Sequence, residues 1–438
     1  MPRQPASADR NYAVALVIPP DPSGLNNFNQ IPIAALYAAT QLIAEGFAAY
    51  FYDLRAQADP GASYRKIAGA DLAVVLSNDY DLAQCYPSLR PAADCVRALK
   101  AAGCARVACA GSHATVDGEL TLRFTGADCA ISGELEFAVT GLAASLANGA
   151  EPPRTWPLDG QCVASEAQLA ALAPPAYHLA PMGHYASEGF VDGALARVSS
   201  GLVLANRGCP FACSFCYLLF GRRIRRRPVA ATLSELKALY VGYGIQHFFF
   251  LDYTFTLDPR WVHQFCGEVG AWGADISWVC QTRVDCLNDA VLTAMRQAGC
   301  DGIWLGVESP ELEQRRYLSK GKVAINDIDA AVEMIRRHGI NVLAFVMVGL
   351  PNETESSLRR LNSWLDQAGV YYSMSTFQRR PGTPLAPNAD VGSWERLDST
   401  SPFLGESELK IVDLDWFFDY HQGSPFRVKN IMARAAAG

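Results

Sequence analysis

The sequence predicts an α/β chain built from two parallel sheets in series, and three observations carry that reading. Short apolar, β-branched runs alternate with helical segments through roughly the first 150 residues. That alternation is the pattern of a doubly wound parallel sheet. From Leu202 onward strand–helix alternation resumes for six units, enough for a partial (β/α)6 barrel. Directly after the first strand of this second pattern lies Asn206 to Pro228, NRGCPFACSFCYLLFGRRIRRRP, which is rich in Cys and Arg.

In the first region, residues 1–150, Tyr12–Ile18 reads as a strand ended by Pro19 and Pro20. The loop DPSGLNNFNQ, with Ser23 and Asn26, follows it. An apolar helix over Ile31–Glu45 closes at Gly46. Further strands are predicted at Ala48–Asp53, at Asp71–Leu76 (ending at Ser77 and Asn78) and at Arg106–Ala110 (ending at Gly111, Ser112, His113, Ala114 and Thr115). A fifth, Asp128–Ile131, ends at Ser132, Gly133 and Glu134. Ligands of such sheets sit at the carboxyl ends of the strands. No G-x-G-x-x-G follows the first strand, which argues against a dinucleotide.

Residues 151–198 read as an interdomain linker, with His178, His184 and Tyr185 placed in interdomain packing. The barrel is expected over 199–388. Its strands are Leu202–Ala205, His247–Leu251, Ile276–Cys280, Gly302–Gly306, Val342–Val348 and Tyr371–Phe377. The helical segments are Ala231–Tyr243, Arg260–Ala271, Asp289–Ala298, Asn326–His338 and Glu355–Ala368. Active-site groups belong at the carboxyl ends of barrel strands. Residues 389–438 form an extension. Its aromatic stretch WFFDYHQGSPF is expected to cover the barrel mouth or line a pocket, and RVKNIMARAAAG to form a last helix.

Composition narrows the classes. Half of the 438 residues are hydrophobic and the net charge is −7, which disfavours a general nucleic-acid binder. No apolar run reaches the ~18 residues of a membrane span, and the N-terminus lacks signal-peptide organisation. Thirteen Cys, an odd number, point to a reducing, cytoplasmic setting. Ten are scattered, mostly in apolar runs, as buried thiols would be. The other three, Cys209, Cys213 and Cys216, stand in a C-x3-C-x2-C spacing. Three thiolates this close can hold three irons of a cubic [4Fe–4S] cluster and leave the fourth iron open to a small molecule, whereas clusters usually take four Cys. A zinc loop is the alternative, but zinc sites usually need a fourth ligand and prefer C-x2-C pairs.

With Phe215 before the last Cys, this loop resembles the signature of the radical S-adenosylmethionine (SAM) enzymes. The resemblance implies that the open iron chelates SAM. It also implies SAM contacts on Phe215, on Asp252 of FLDYTFT, on Arg283 of QTRVD, on Glu308 of GVES, and on Val348, Gly349 and Leu350 of VMVGLP. Some of the five Arg in Arg222–Arg227 are expected to brace the cluster loop or to meet cobalamin. The run VACAGSHATVDGELTL…GADCAISGELE resembles the Rossmann-like cobalamin-binding domain that precedes many radical SAM domains. It implies cobalamin contacts on Ser23, Asn26, Asn78, Gly111, Ser112, His113, Thr115, Gly133, Glu134 and Glu136. The chain has no D-x-H-x-x-G motif, so no His from the first loop is expected below cobalt.

Together these likenesses imply a cobalamin-dependent radical SAM C-methyltransferase. It would methylate an unactivated carbon of a small-molecule substrate through methylcobalamin and a 5′-deoxyadenosyl radical, with flavodoxin or ferredoxin as electron donor. The alternatives are a ring contraction, cyclisation or oxygen insertion on the same scaffold, and a non-catalytic cobalamin sensor. A methylthiotransferase is disfavoured because Cys85, Cys95, Cys104, Cys109 and Cys129 do not form the additional triad of that group.

Overall fold

The computed structural model describes residues 11–20, 30–57, 59–78, 89–320, 325–351, 353–377, 379–387 and 415–437. Six strands build the first sheet: β1 (Ala13–Ile18), β2 (Ala48–Asp53), β3 (Leu72–Leu76), β4 (Val107–Ala110), β5 (Cys129–Ile131) and β6 (Thr155–Trp156). All pairings are parallel, in the order β2-β1-β3-β4-β5-β6. The chain order reverses between β1 and β3, the switch point where such sheets open a ligand crevice. β1 is buried along its whole length, as a central strand covered on both faces must be. β6 falls inside the predicted linker. With only two residues it carries no period to read, and its indole Nε1 donates to the Ala138 carbonyl at 2.8 Å.

The helix Ile33–Ala44 is apolar almost all round and buries Ile33 through Ala39 and Leu42. A helix of that kind is enclosed on several sides. Here it lies in one continuous hydrophobic core that includes both the first sheet and the barrel. Its Tyr37 hydroxyl donates to Glu235 at 2.6 Å, and Arg227 donates to Tyr37 and to Glu235 at 2.7 and 2.6 Å. Tyr177 donates to the other Glu235 oxygen at 3.2 Å, and Tyr185 donates to Asp53 at 3.0 Å. Tyr185 therefore packs between the two sheets, while His178 is exposed.

An antiparallel hairpin, β7 (Ser187–Val191) and β8 (Ala194–Val198), was not foreseen. Its Phe190 packs on Trp304 and Tyr371, with ring centroids at 5.8 and 5.7 Å. A side chain at Gly302 would start 2.4 Å from that ring. Gly302 and Tyr371 lie near the amino ends of their strands, so the hairpin closes the bottom of the barrel.

The second sheet contains β9 (Ser200–Val203), β12 (His247–Phe250), β13 (Ser277–Thr282), β14 (Cys300–Glu308), β15 (Asn341–Val348) and β16 (Tyr371–Thr376). These run parallel in sequence order from β9 to β16 and leave the barrel open between its two edges. The short strands β10 (Asn206–Arg207) and β11 (Arg225–Arg226) pair antiparallel above β9. Helices Val229–Tyr243, Pro259–Trp272, Asp289–Gln297, Ile325–Arg337 and Glu355–Ala368 fall within three residues of the predicted segments. Three of them stop on left-handed glycines, Gly244, Gly273 and Gly369, which is how helices commonly end.

The C-terminal extension differs from expectation. Helix Asp415–Gly423 packs beside β16, where Tyr372 N–H donates to the Phe426 carbonyl at 3.0 Å and the Tyr372 hydroxyl meets His421 Nδ1 at 2.9 Å. Tyr420 reaches Asp366 at 2.8 Å. The aromatic stretch thus covers the free edge of the sheet, which an unpaired strand needs, and its described residues do not line the barrel mouth. The last helix is present at Val428–Ala437. Among the described residues, no helix is long and apolar enough to cross a membrane.

Candidate active site

The cysteine loop is a closed omega of chain pinched at its base by β10 and β11. Gly208 turns the chain at φ 91°, and a Cβ there would lie 2.1 Å from the Arg223 carbonyl. Only glycine permits that approach. Inside the pinch, Cys209 N–H donates to the Gly221 carbonyl at 3.1 Å. Arg222 braces the loop from outside through the Phe211 carbonyl at 2.6 Å. Ser214 ties the middle of the loop to the Tyr317 and Leu318 carbonyls, and Leu385 of the P-G-T-P-L turn donates to the Ser214 carbonyl at 3.3 Å. The Tyr253 hydroxyl accepts from Leu219 N–H at 2.9 Å.

All three cysteines line one cavity of about 240 Å³, which also receives side chains from the carboxyl halves of β13 to β16. Among the described residues no three His, Cys, Asp or Glu side chains gather around a point where one ion could sit. A cubane asks for something else, because each thiolate takes its own iron. The loop has the separated, inward-facing thiols and the tight turn that a cluster needs. Burial pushes the Cys213 thiol up, while Lys320 and Arg283 pull it back.

Glu308 stands at the wall of this cavity with φ 64°, at a register shift in β14 between Gly306 and Glu308. A left-handed non-glycine residue costs energy and clusters at functional sites, and the irregularity re-aims its side chain. Lys320 holds the carboxylate at 2.6 Å. Gly306 makes room for the pair, since a Cβ there would sit 2.7 Å from Lys320 Nζ. Sequence reasoning missed Lys320, which in YLSKGK looks like any surface lysine. Arg283 also lines the cavity, but its Nε and Nη2 are paired with Asp285 at 2.8 Å each. Its Nη1 reaches Cys213 Sγ at 3.4 Å, and its plane lies 3.8 Å over Phe211. In this arrangement Arg283 is a brace of the cluster loop.

Two sets of expected SAM contacts have side chains outside the cavity lining. Asp252 is buried away from the cavity, accepting from Ala205 N–H at 3.1 Å and Asn206 Nδ2 at 2.7 Å. Burial raises its carboxyl to about 6. It secures the end of β9, and Tyr253 faces the cavity in its place. On β15 the lining residues are Phe345, Val346 and Met347. Val348 and Leu350 are buried behind them, and Gly349 N–H donates to Glu353 at 2.5 Å. Phe215 lines the cavity as expected.

At the first sheet, Asn78, Gly111, Ser112, His113 and Thr115 form one compact shelf at the ends of β3 and β4. Ser112 N–H donates to Asn78 Oδ1 at 2.7 Å, Thr115 Oγ1 to the Gly111 carbonyl at 2.8 Å, and Gly133 N–H to Thr115 Oγ1 at 2.9 Å. His113 is buried beside Ser77, at 3.3 Å, and burial lowers its imidazole to about 3. Ser23 and Asn26 lie outside the described residues. Glu134 and Glu136 turn away from the shelf. Arg207 Nη1 pairs with both, at 2.5 Å each, and Arg225 pairs with Glu134. All four side chains are buried, so the G-E-x-E turn fastens the first sheet to the base of the cysteine loop.

Residues 203–365, from the end of β9 through the cysteine loop and into the helix after β15, match the Radical SAM superfamily. Over this stretch the chain is similar to radical SAM enzymes. That similarity implies a [4Fe–4S] cluster and SAM, and the cavity is lined by the three cysteines that would hold the cluster. An uncharacterized methyltransferase of Pyrococcus horikoshii is 31% identical over 288 residues, covering 63% of this chain and 61% of the relative. An anaerobic magnesium-protoporphyrin IX monomethyl ester cyclase of Rubrivivax gelatinosus is 31% identical over 155 residues, 35% of this chain and 28% of the relative. Among solved structures, the radical SAM methyltransferase TsrM from Kitasatospora setae shares the fold. The TM-score is 0.67 at 18% identity, over 86% of this chain and 75% of that one; TsrM has also been solved with cobalamin and a [4Fe–4S] cluster bound. The chain spans less than two thirds of the length of these two curated relatives.

Proposed function

We propose that the chain is a cobalamin-dependent radical SAM C-methyltransferase acting on a small molecule. The observation that carries this reading is the buried clamp that ties the end of the first sheet to the base of the cysteine loop. Arg207, two residues before Cys209, is clamped to Glu134 and Glu136 at the end of β5. In this reading a ligand on the shelf of the first sheet and a ligand in the barrel cavity face each other across that clamp. When bound, the cluster supplies the electron that cleaves SAM and cobalamin carries the methyl group; the chain aligns them and excludes water.

In this proposal residues 1–150, with β6 added, form the cobalamin domain, and residues 199–388 form the SAM barrel. Asn78, Gly111, Ser112, Thr115 and Gly133 offer cobalamin a polar shelf, and His113 packs beneath it. Glu308 receives the ribose hydroxyls of SAM, Phe215 packs on SAM, and Arg283 keeps the cluster loop in place. An external donor such as flavodoxin or ferredoxin delivers electrons. TsrM and the Pyrococcus horikoshii relative, by name methyltransferases, support methyl transfer. The cyclase relative favours a second reading, bond formation or ring closure without methyl transfer. The two are separated by product mass: a gain of one methylene means methylation.

Glu308→Gln removes a charge-assisted contact to the ribose, worth roughly 1.5–3 kcal/mol. The expected result is about a ten- to hundredfold loss of SAM affinity in equilibrium dialysis, with cluster iron retained. Arg283→Ala is expected to lower cluster iron and slow 5′-deoxyadenosine release more than it weakens SAM binding, because cleavage depends on orientation. Parent affinity in the first variant and parent iron content in the second would remove both residues from these roles.

A further inference from the structure

The cavity is larger in chemical variety than SAM and the cluster require. On its far wall Phe345 pairs with Ser373 and Met347 with Ser375 across β15 and β16. In parallel strands such pairs point to the same face, and all four line the cavity. The wall thus alternates flat or soft apolar surface with hydroxyls. Trp304 forms the floor, packed on Phe249 and Phe190 at 5.4 and 5.8 Å.

The charges are unequal. Arg283 is paired with Asp285, and Lys320 with Glu308. Arg380, the third cation of the lining, has no ion-pair partner among the described residues. Its backbone is fixed, since Thr383 donates to the Arg380 carbonyl from both N–H and Oγ1, at 3.2 and 2.7 Å. The same turn is bonded to the cluster loop at Ser214, so Arg380 stands at a set position relative to the cysteines. A cation facing a mainly apolar cavity is costly to desolvate unless an anion meets it, and a guanidinium suits a carboxylate or phosphate bidentately.

We propose that the methyl-accepting substrate has a flat apolar body, seated on Trp304 and Phe345, and a carboxylate or phosphate group held by Arg380. This rests on the reading under Proposed function, and it assigns Arg380 as a substrate-binding, specificity-determining residue. The anion fixes one end of the molecule, and the hydroxyls of Ser373 and Ser375 accept or donate along its edge.

The test uses naphthoate, naphthyl phosphate and naphthylmethanol as matched probes that differ only in the polar group. Binding is measured by calorimetry on the cluster-loaded chain saturated with SAM, so that SAM occupies its own contacts. At least one anion is expected to bind roughly tenfold tighter than the alcohol, the size of one charge-assisted contact. In Arg380→Gln that preference should vanish, and Arg380→Lys should restore part of it. The tighter of the two anions identifies the group. Equal binding of all three probes by the parent, or a preference that survives Arg380→Gln, overturns the assignment. A parent that takes up no SAM would instead overturn the functional reading, whatever the probes do.

Discussion

Joint replacement of Cys209, Cys213 and Cys216 by alanine is expected to abolish cluster iron and 5′-deoxyadenosine formation. The loss should be complete, because in the proposed function the three thiols that this loop brings to the cavity are the iron ligands. The fold should survive it. The loop is held by backbone and side-chain bonds that do not involve sulfur: the β10–β11 pairing, Ser214 with Tyr317, Tyr253 with Leu219, and Arg222 with Phe211. Circular dichroism and the unfolding midpoint of the variant should therefore stay close to those of the parent without its cluster. A full complement of iron in the triple variant would contradict the assignment of these ligands.

The second large effect concerns the buried clamp between the sheets. Arg207→Met removes a charge that faces Glu134 and Glu136, both fully buried. Breaking one side of a buried pair strands the other, at a cost of about 3–5 kcal/mol. Arg225 still reaches Glu134, but Glu136 would lose its ion pair with Arg207. The expected result is a clear fall in the urea midpoint, with the two sheets unfolding in separable steps as their docking weakens. Arg207→Met combined with Glu136→Gln should recover part of the loss, since Glu134 keeps Arg225 and Glu136 no longer carries a buried charge. A fall in stability below about 1 kcal/mol, the scale of an exposed pair, would mean that this cluster does not fasten the two sheets.

Much of the fold was legible because its elements are long and regular. β15, the helix Glu355–Ala368 and the apolar helix over Ile33–Ala44 announce themselves by period and by their end residues. The elements that escaped are short or act at a distance. β6 has two residues, and the β7–β8 hairpin sits in a stretch whose Gly, Pro and polar residues read as linker. At the site, the cysteine spacing and Glu308 were readable from local phrases. Their partners were not. Lys320 reaches Glu308 after a helix and a turn, and Arg380 enters the cavity from beyond the last strand. The sequence does not say which direction the strand-end carboxylates of Glu134 and Glu136 face, and their arginine partners lie more than 70 residues away. Asp252 shows the same limit on a smaller scale, since the neighbours that claim its carboxylate, Ala205 and Asn206, lie in the segment after β9 and not in its own strand.

The central claim is methyl transfer that depends on both sites at once, and one labelling experiment tests it most directly. The chain, reconstituted with cluster and cobalamin under anaerobic conditions, is supplied with reductant, SAM carrying a deuterated methyl group, and the small-molecule extract of its host. The account predicts a deuterated methyl group on a carbon of one small molecule, formed with 5′-deoxyadenosine and lost when cobalamin is left out. Steady release of 5′-deoxyadenosine without labelled product, or labelling that persists without cobalamin, would contradict it.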